Sequence, residues 1–348
     1  MQDWRENRER ERRFDAYVEA LVDAVGHADR REPLFCYLTG LLTVECRKSL
    51  EPMAAAVAAD AKSVSARRQS MTHFVGQAPW SDSAVLGVAI TQALPPMLSH
   101  GPLLAWLLDD TGIPKKGDHS VGVARQYCGN SGKVDNCQVA VSLSLVNELA
   151  SLPVGYRLYL PKAWAEDSER RAKVGVPAEI QFQTKPEIAL DLLRAALAAG
   201  HPVAPVTADA GYGDNTGFRD ALTALGLPYL VGVKGGTTVW PPGQGPFAAL
   251  EDQPLTAAAL VASLPEKAFR EVIWRDGTKG DLSSRFALRR VRPAHGHKPG
   301  AELRPEEWLL VEWPLGEEKP THFWLGTLDS GACLQEIVEF AKLRWRIE

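Results

Sequence analysis

Three acidic positions stand where carboxylates can act together: the adjacent pair Asp109 and Asp110 in "LLAWLLDDTG", Asp209 in "TADAGYG", and Glu348 at the end of "AKLRWRIE". A short apolar run that breaks into two aspartates has the pattern of a buried strand that delivers charge to a sheet edge. Asp209 closes a second such run, and Glu348 lies on a stretch with helical spacing. Converging carboxylates raise one another's pKa and cannot all stay ionised without cations. Magnesium suits such a set, because it takes hard oxygen ligands and keeps positions open for phosphate oxygens. Two such ions about 4 Å apart can stabilise both the attacking and the leaving oxygen of a phosphodiester displacement. Each residue also has an ordinary reading: an aspartate after a strand commonly caps a turn, and a glutamate beside arginine commonly forms a surface pair.

Basic residues flank these positions. Lys115, Lys116, Arg125 and Lys133 follow the first aspartates, and Arg170, Arg171 and Lys173 precede a long helical stretch. Arg285, Arg289, Arg290, Arg292 and Lys298 cluster further on, and Lys342, Arg344 and Arg346 lead into Glu348. Such groups either neutralise nucleic-acid phosphates or make a solvated face. Trp240, Trp274 and Trp324 read as core residues or as platforms for unpaired bases. Other chemistries lack their signatures. No phosphate-binding glycine loop, dinucleotide fingerprint or nucleophile elbow is present. Cys128, Cys137 and His119 do not have zinc spacing.

The elements that must carry these residues read as follows. The first hundred residues are helical in pattern. "FDAYVEALVDAVG" stops at Gly26, and "SLEPMAAAVAADA" and "SARRQSMTHFVG" are two pieces joined near Asp60–Ser63. That pair is either part of a packed bundle or a helix-turn-helix. "PLLAWLLDD" is a strand that ends at the aspartates, "SVGVARQYC" and "NCQVAVSLSLV" form a hairpin across "GNSGK", and "VGYRLYLP" is a further strand. "ERRAKVGVP" reads as a loop before the helix "KPEIALDLLRAALAAG", stopped by Gly200. A β-α-β unit follows, with Asp209 at the end of its first strand, Asp214 or Asn215 as helix cap, and "YLVGV" as its second strand. Ligands in such sheets bind at the carboxyl ends of strands. "GGTTVWPPGQGP" reads as a linker into a mostly β module, and "LQEIVEFAKLRWRIE" reads as a closing helix.

The chain has 348 residues, 45% hydrophobic and 24% charged, with a formal net charge of −4. That size supports two or three domains. The net charge does not favour DNA, but only a contacting face needs to be positive. No apolar run reaches membrane-helix length, the charged N-terminus has no signal-peptide core, and five cysteines form no framework. The expectation is a cytoplasmic protein with reduced thiols and no membrane partner.

"DDTGIPKKGDHSVGVARQYCGNSGKVDNCQVAVSLSL", "RLYLPKAW", "TADAGYGDN", "WRDGTKGDLSSRFALRRVRPA" and "AKLRWRIE", in this order, resemble bacterial insertion-sequence transposases of the DDE type, nearest to the insertion sequence 701 family. The match extends to "YLTGLL" and "KSLEPMA" in the helical front. The resemblance implies an α/β fold: an RNase H-like catalytic core, a mixed sheet with flanking helices, interrupted by a β-rich insertion and preceded by an all-helical N-terminal domain. On this reading residues 1–100 are the helical domain, 101–234 the first part of the core, 235–328 the insertion, and 329–348 the last core helix.

The resemblance also implies roles. The triad falls on Asp110, directly before Thr111, with Asp109 as the alternative, on Asp209, and on Glu348. These hold two Mg2+ ions, for which Mn2+ substitutes. Arg344 matches the arginine of a tyrosine–arginine–glutamate signature, while Ala341 stands where the tyrosine would be. Lys115, Lys116, Arg125, Lys133, Arg285, Arg289 and Arg344 are the expected DNA contacts. Activated water cuts a phosphodiester at the element's end, and the freed 3′-hydroxyl joins to target DNA. The partners implied are double-stranded DNA with terminal inverted repeats, target DNA, and a second protomer in the DNA complex. The pattern stops at Glu348 without a cap, so a truncated, weakly catalytic copy that represses by binding the repeats is the competing expectation. A general nuclease on the same core is a third.

Overall fold

The structure is a computed structural model that describes residues 2–243, 253–278, 280–298 and 301–347. The chain forms two compact units, Met1–Pro96 and Met97–Glu348.

Among the described residues the first unit is helical: α1 (Gln2–Val25), α2 (Arg31–Thr43), α3 (Leu50–Val57), α4 (Val64–Gly76) and the start of α5 (Asp82–Ser99). Gly26 ends α1 with a φ of 76°, as the apolar spacing and glycine stop predict. Cys36, Met53, Ala54 and Met71 form one core cluster, and Leu21, Val25, Leu34 and Phe74 another. The α3–α4 pair turns at Asp60–Ser63, where the Asp60 carboxylate accepts the Ser63 N–H at 2.8 Å. The arginines of α4 are spent inside the unit: Arg67 pairs with Glu32 and Arg68 with Glu51. The exposed residues of α4 include Gln69, Ser70, Thr72 and His73, with Ser65, Ala66 and Val75.

The second unit is mixed α/β. Its strands and helices follow in order as β1 (Ala105–Pro114), β2 (Ala124–Cys128), β3 (Lys133–Val146), β4 (Ser151–Leu158), α6 (Lys162–Ala165), α7 (Ser168–Lys173), α8 (Lys185–Ala198), β5 (Val206–Thr207), α9 (Ala210–Gly213), α10 (Thr216–Ala224) and β6 (Leu230–Val233). Next come β7 (Thr238–Trp240), β8 (Leu255–Thr256), α11 (Ala257–Ala262), β9 (Arg270–Arg275), β10 (Leu282–Pro293), β11 (Glu307–Trp313), β12 (His322–Gly326) and α12 (Leu334–Ala341).

Five strands make the first sheet, in the order β2-β3-β1-β5, with β4 also paired to β3. β1 runs antiparallel to β3 and parallel to β5. β6 continues it through the parallel bridge Val206–Tyr229 and the Gly232 N–H to Ala208 carbonyl bond of 2.9 Å. β6 is also the edge of a seven-stranded sheet, ordered β6-β12-β11-β10-β7-β8 with β9 on β10. One face of that sheet (Val233, Ala287, Val291, Leu309, Val311) packs on Ala257 and Val261 of α11. The other (Leu230, Phe286, Leu310, Trp324) packs on Ile337, Val338 and Ala341 of α12. A mixed sheet with flanking helices is therefore present, as expected.

Several expectations need correction. β1 does not end at the aspartates; it runs on to Pro114, with Thr111–Pro114 paired to Cys137–Ala140 of β3. "ERRAKVGVP" is not all loop: Asp167 accepts the Arg170 N–H and starts α7. "GGTTVW" is not a free linker, because β10 recruits Val239 and Trp240 as strand partners; residues 244–246 of that stretch lie outside the described residues. The β module also carries α11. The closing helix stops at Ala341, where Lys342 turns inward to bond both carboxylate oxygens of buried Glu312 at 2.8 and 2.7 Å. A 3₁₀ turn, Leu343–Arg346, follows and leaves Trp345 44% exposed, off the apolar line that the spacing suggested. Trp240 and Trp324 are buried core residues, and Trp274 packs against the α12 cluster.

Candidate active site

Strand alternation sends Asp109 and Asp110 to opposite faces of β1. Asp109 shares its face with Ala105 and Leu107, which pack with Val146 against Phe340, Leu343 and Ile347 of the closing segment. Its carboxylate accepts from Arg344 Nη2 at 3.2 Å and from the Asp110 backbone N–H at 2.8 Å. Asp110 instead pairs with the Lys185 ammonium. Lys185 opens α8, whose start is fixed by a capping box: Thr184 and Glu187 each accept the other's backbone N–H.

β5 sets the second aspartate. Its parallel register with β1 matches Trp106 to Val206 and Leu107 to Thr207. Two residues past the last matched pair come Asp109, still within β1, and Asp209, just beyond the carboxyl end of β5. There Asp209 caps α9, accepting the Gly211 N–H at 2.8 Å. The one-turn helix lies so close on β6 that a Cβ on Gly213 would sit 2.1 Å from the Gly232 carbonyl oxygen, and one on Gly232 would sit 2.9 Å from the Ala210 nitrogen. Only glycine permits this approach.

The charges of all three aspartates act on one buried hydroxyl. The Tyr212 hydroxyl is buried without a hydrogen-bond partner among the described residues. Burial raises its pKa, and the charges of Asp110, Asp209 and Asp109 raise it further, against the pull of Arg344. Burial also raises Asp109 above the usual aspartate range; Arg344 and the Asp110 N–H pull it down, and Asp209 pushes it up.

The donors here are carboxylate oxygens, hard ligands that suit Mg2+ or Mn2+ rather than zinc. The chain's own cations, Arg344 and Lys185, already offset two of them. Among the described residues no three His, Cys, Asp or Glu side chains gather closely enough to hold an ion alone. The third expected carboxylate, Glu348, lies outside the described residues. Asp109 and Asp209 are thus placed to contribute to such a site, and it needs a further ligand.

The expected DNA contacts divide into two groups. Lys116, Arg125 and Lys133 are exposed and Lys115 is half-buried, and none of the four makes an ion pair among the described residues. Arg285, in contrast, pairs with Glu266 at 3.2 Å and stacks 4.2 Å from Trp313. Arg289 donates to the Leu288 carbonyl at 2.8 Å. Arg344 points into the acidic site rather than outward. Cys128 and Cys137 are buried thiols in the β2–β3 hairpin. A cavity of about 730 Å³ between β4 and residues 174–183 contains none of the aspartates.

Sequence reasoning passed over Lys185, Tyr212, Gly213, Gly232 and the buried Arg219. The alternate glycines of "DAGYGDN" were a visible sign of close backbone approach, and the Thr184–Glu187 spacing was a visible helix start. Nothing local marked Lys185 as a partner for a residue 75 positions away.

A curated relative, the probable transposase for insertion sequence element IS701 of Microchaete diplosiphon, is 30% identical over 202 residues. That covers 58% of this chain and 48% of the relative, so the chain spans about half the length of the curated relative it matches. The profile of the family described as DDE superfamily endonuclease matches residues 20–281, a span that takes in the helical front, both β1 aspartates, Asp209 and part of the β module. By that match over most of its length, the chain belongs to the DDE superfamily endonucleases.

Proposed function

We propose that this protein is an insertion-sequence transposase that cuts and joins DNA ends, and that Asp109 and Asp209 are its first two catalytic carboxylates, with Glu348 as the third. The observation that supports this reading is the β1–β5 register, Trp106 with Val206 and Leu107 with Thr207, which brings the segments carrying Asp109 and Asp209 side by side. Asp110 was the first choice from the sequence motif. One observation favours Asp109: it shares the face of β1 that packs on the closing segment before Glu348. Asp110 is then the residue that holds Lys185 at the rim.

When bound, two divalent ions supply an activated water and offset charge on the leaving oxygen. The chain's own residues do the rest. Asp209 is aimed by its capping bond, Arg344 holds Asp109 in place, and the buried Tyr212 hydroxyl lies close enough to feel all three aspartates. Lys116, Arg125 and Lys133, on and beside the β2–β3 hairpin, are free to bind phosphates of DNA flanking the cut.

Nicking of DNA that carries element ends, in Mg2+, tests the reading. Asp209→Ala and Asp109→Asn are expected to abolish cleavage, and Asp110→Asn to keep it within about tenfold of wild type. Cleavage that survives Asp209→Ala sinks the reading. An Asp110→Asn protein that is dead beside an active Asp109→Asn protein reverses the choice between the two. Specific binding of the ends with no cleavage by wild type favours the repressor alternative.

A further inference from the structure

Arg219 is 2% exposed, in α10, directly behind the turn that carries Asp209. Arginine is almost never fully buried unless its charge is used. Nη1 donates to the carbonyl of Gly213, the last residue of α9, and Nη2 reaches Thr216 Oγ1 at 3.4 Å. α9 has four residues, Asp209 is its cap, and its close seat on β6 leaves no side chain to anchor Gly213. The guanidinium is therefore a rigid brace between α10 and the end of the Asp209 turn. Its surroundings are built for it: Glu307, 3% exposed at the start of β11, accepts the Tyr229 hydroxyl at 2.9 Å, and the Arg219 charge acts on both groups.

We propose that Arg219 is a positioning residue for Asp209, holding the α9 turn at the height and angle that let the Asp209 carboxylate take a divalent cation. An apolar side chain of similar size would fill the same volume but leave the Gly213 carbonyl unbraced. The proposal rests on the functional reading above for the role of Asp209, and its test separates the two.

The full chain is compared as wild type, Arg219→Met, Arg219→Lys and Asp209→Asn. Mn2+ alone is titrated and followed by electron paramagnetic resonance, and Mg2+-dependent nicking gives kcat and KM for DNA. Arg219→Met is expected to weaken Mn2+ binding and lower kcat by about tenfold or more, the usual effect of losing an orienting partner, with KM within about twofold. Arg219→Lys, which keeps one donor, is expected to recover to within about threefold of wild type in both readouts. Wild-type Mn2+ binding and kcat in Arg219→Met overturn the proposal, as does an Arg219→Lys protein as impaired as Arg219→Met. If Arg219→Met does not fold, Arg219→Gln, uncharged and shorter, takes its place: Mn2+ binding weakened about tenfold in a protein still folded at the assay temperature supports positioning, and wild-type binding overturns it. If Asp209→Asn leaves Mn2+ binding unchanged, the assignment of Asp209 fails instead. If wild type binds Mn2+ through Asp209 but does not nick, the proposal stands on the Mn2+ titration while the transposase reading falls.

Discussion

Glu307→Gln should flatten the pH dependence of stability. Burial lifts the Glu307 carboxyl from the ordinary 4.5 to about 7, against the Tyr229 hydroxyl and the charges of Arg219 and Arg304, with Asp220 adding to the rise. The folded state thus holds a proton that the unfolded chain releases earlier. Stability from this group is fully present below pH 4.5, declines as pH rises, and is gone above about pH 7. At roughly 1.4 kcal/mol per pH unit the whole effect is about 3 kcal/mol, of which roughly 2.5 falls between pH 5 and pH 8. In a unit of this size that is a melting difference of roughly 5–10 °C. Glutamine keeps an oxygen for the Tyr229 hydroxyl and has no proton to lose. Thermal melts of wild type and Glu307→Gln from pH 5 to pH 8 should therefore diverge steadily, with the variant gaining on wild type toward high pH. The subtraction cancels every other titrating group. Parallel curves would show that Glu307 ionises in the fold as it does in water, and would refute the argument.

Two further outcomes follow from packing. Gly232→Ala puts a Cβ 2.9 Å from the Ala210 nitrogen and 3.1 Å from the Asp209 carbonyl carbon, so it should cost about 1–3 kcal/mol and most of the nicking activity. Gly236→Ala, with nothing within 4 Å, should stay within about 0.5 kcal/mol in the same melts; equal losses in both would remove close approach as the cause. Lys342→Met strands the buried Glu312 charge and should cost about 3 kcal/mol, whereas the double variant with Glu312→Gln should recover part of that, a coupling readable from urea unfolding midpoints. Additive losses would show that the pair is not coupled.

What could be read from the sequence was what local chemistry decides. The β2–β3 hairpin announced itself through Gly132, which takes a φ of 65°. The α8 helix showed its cap and its Gly200 stop, and Asn215 and Gly226 bracket α10 as their types suggest. Non-local packing stayed hidden. β7 is a strand because β10 pairs with it, in a stretch whose glycines and prolines argue for a linker. α12 stops because Lys342 finds Glu312, 30 residues away. The site divides the same way. That aspartates follow apolar strand residues was legible, but the ranking of Asp109 against Asp110 depends on which face of β1 the closing segment covers. Adjacent carboxylates look alike until that face is known.

The Asp109–Arg344 bond joins residues 235 positions apart, through a segment that also contains the whole second sheet. During synthesis at about 5–20 residues per second, roughly 10–50 seconds pass between the emergence of its two ends. Contacts of such long range form late, after the loop between them has been ordered. The nascent chain therefore carries its paired aspartates without their arginine until Arg344 has been made. The acidic site can close only in a chain that has grown past Arg344.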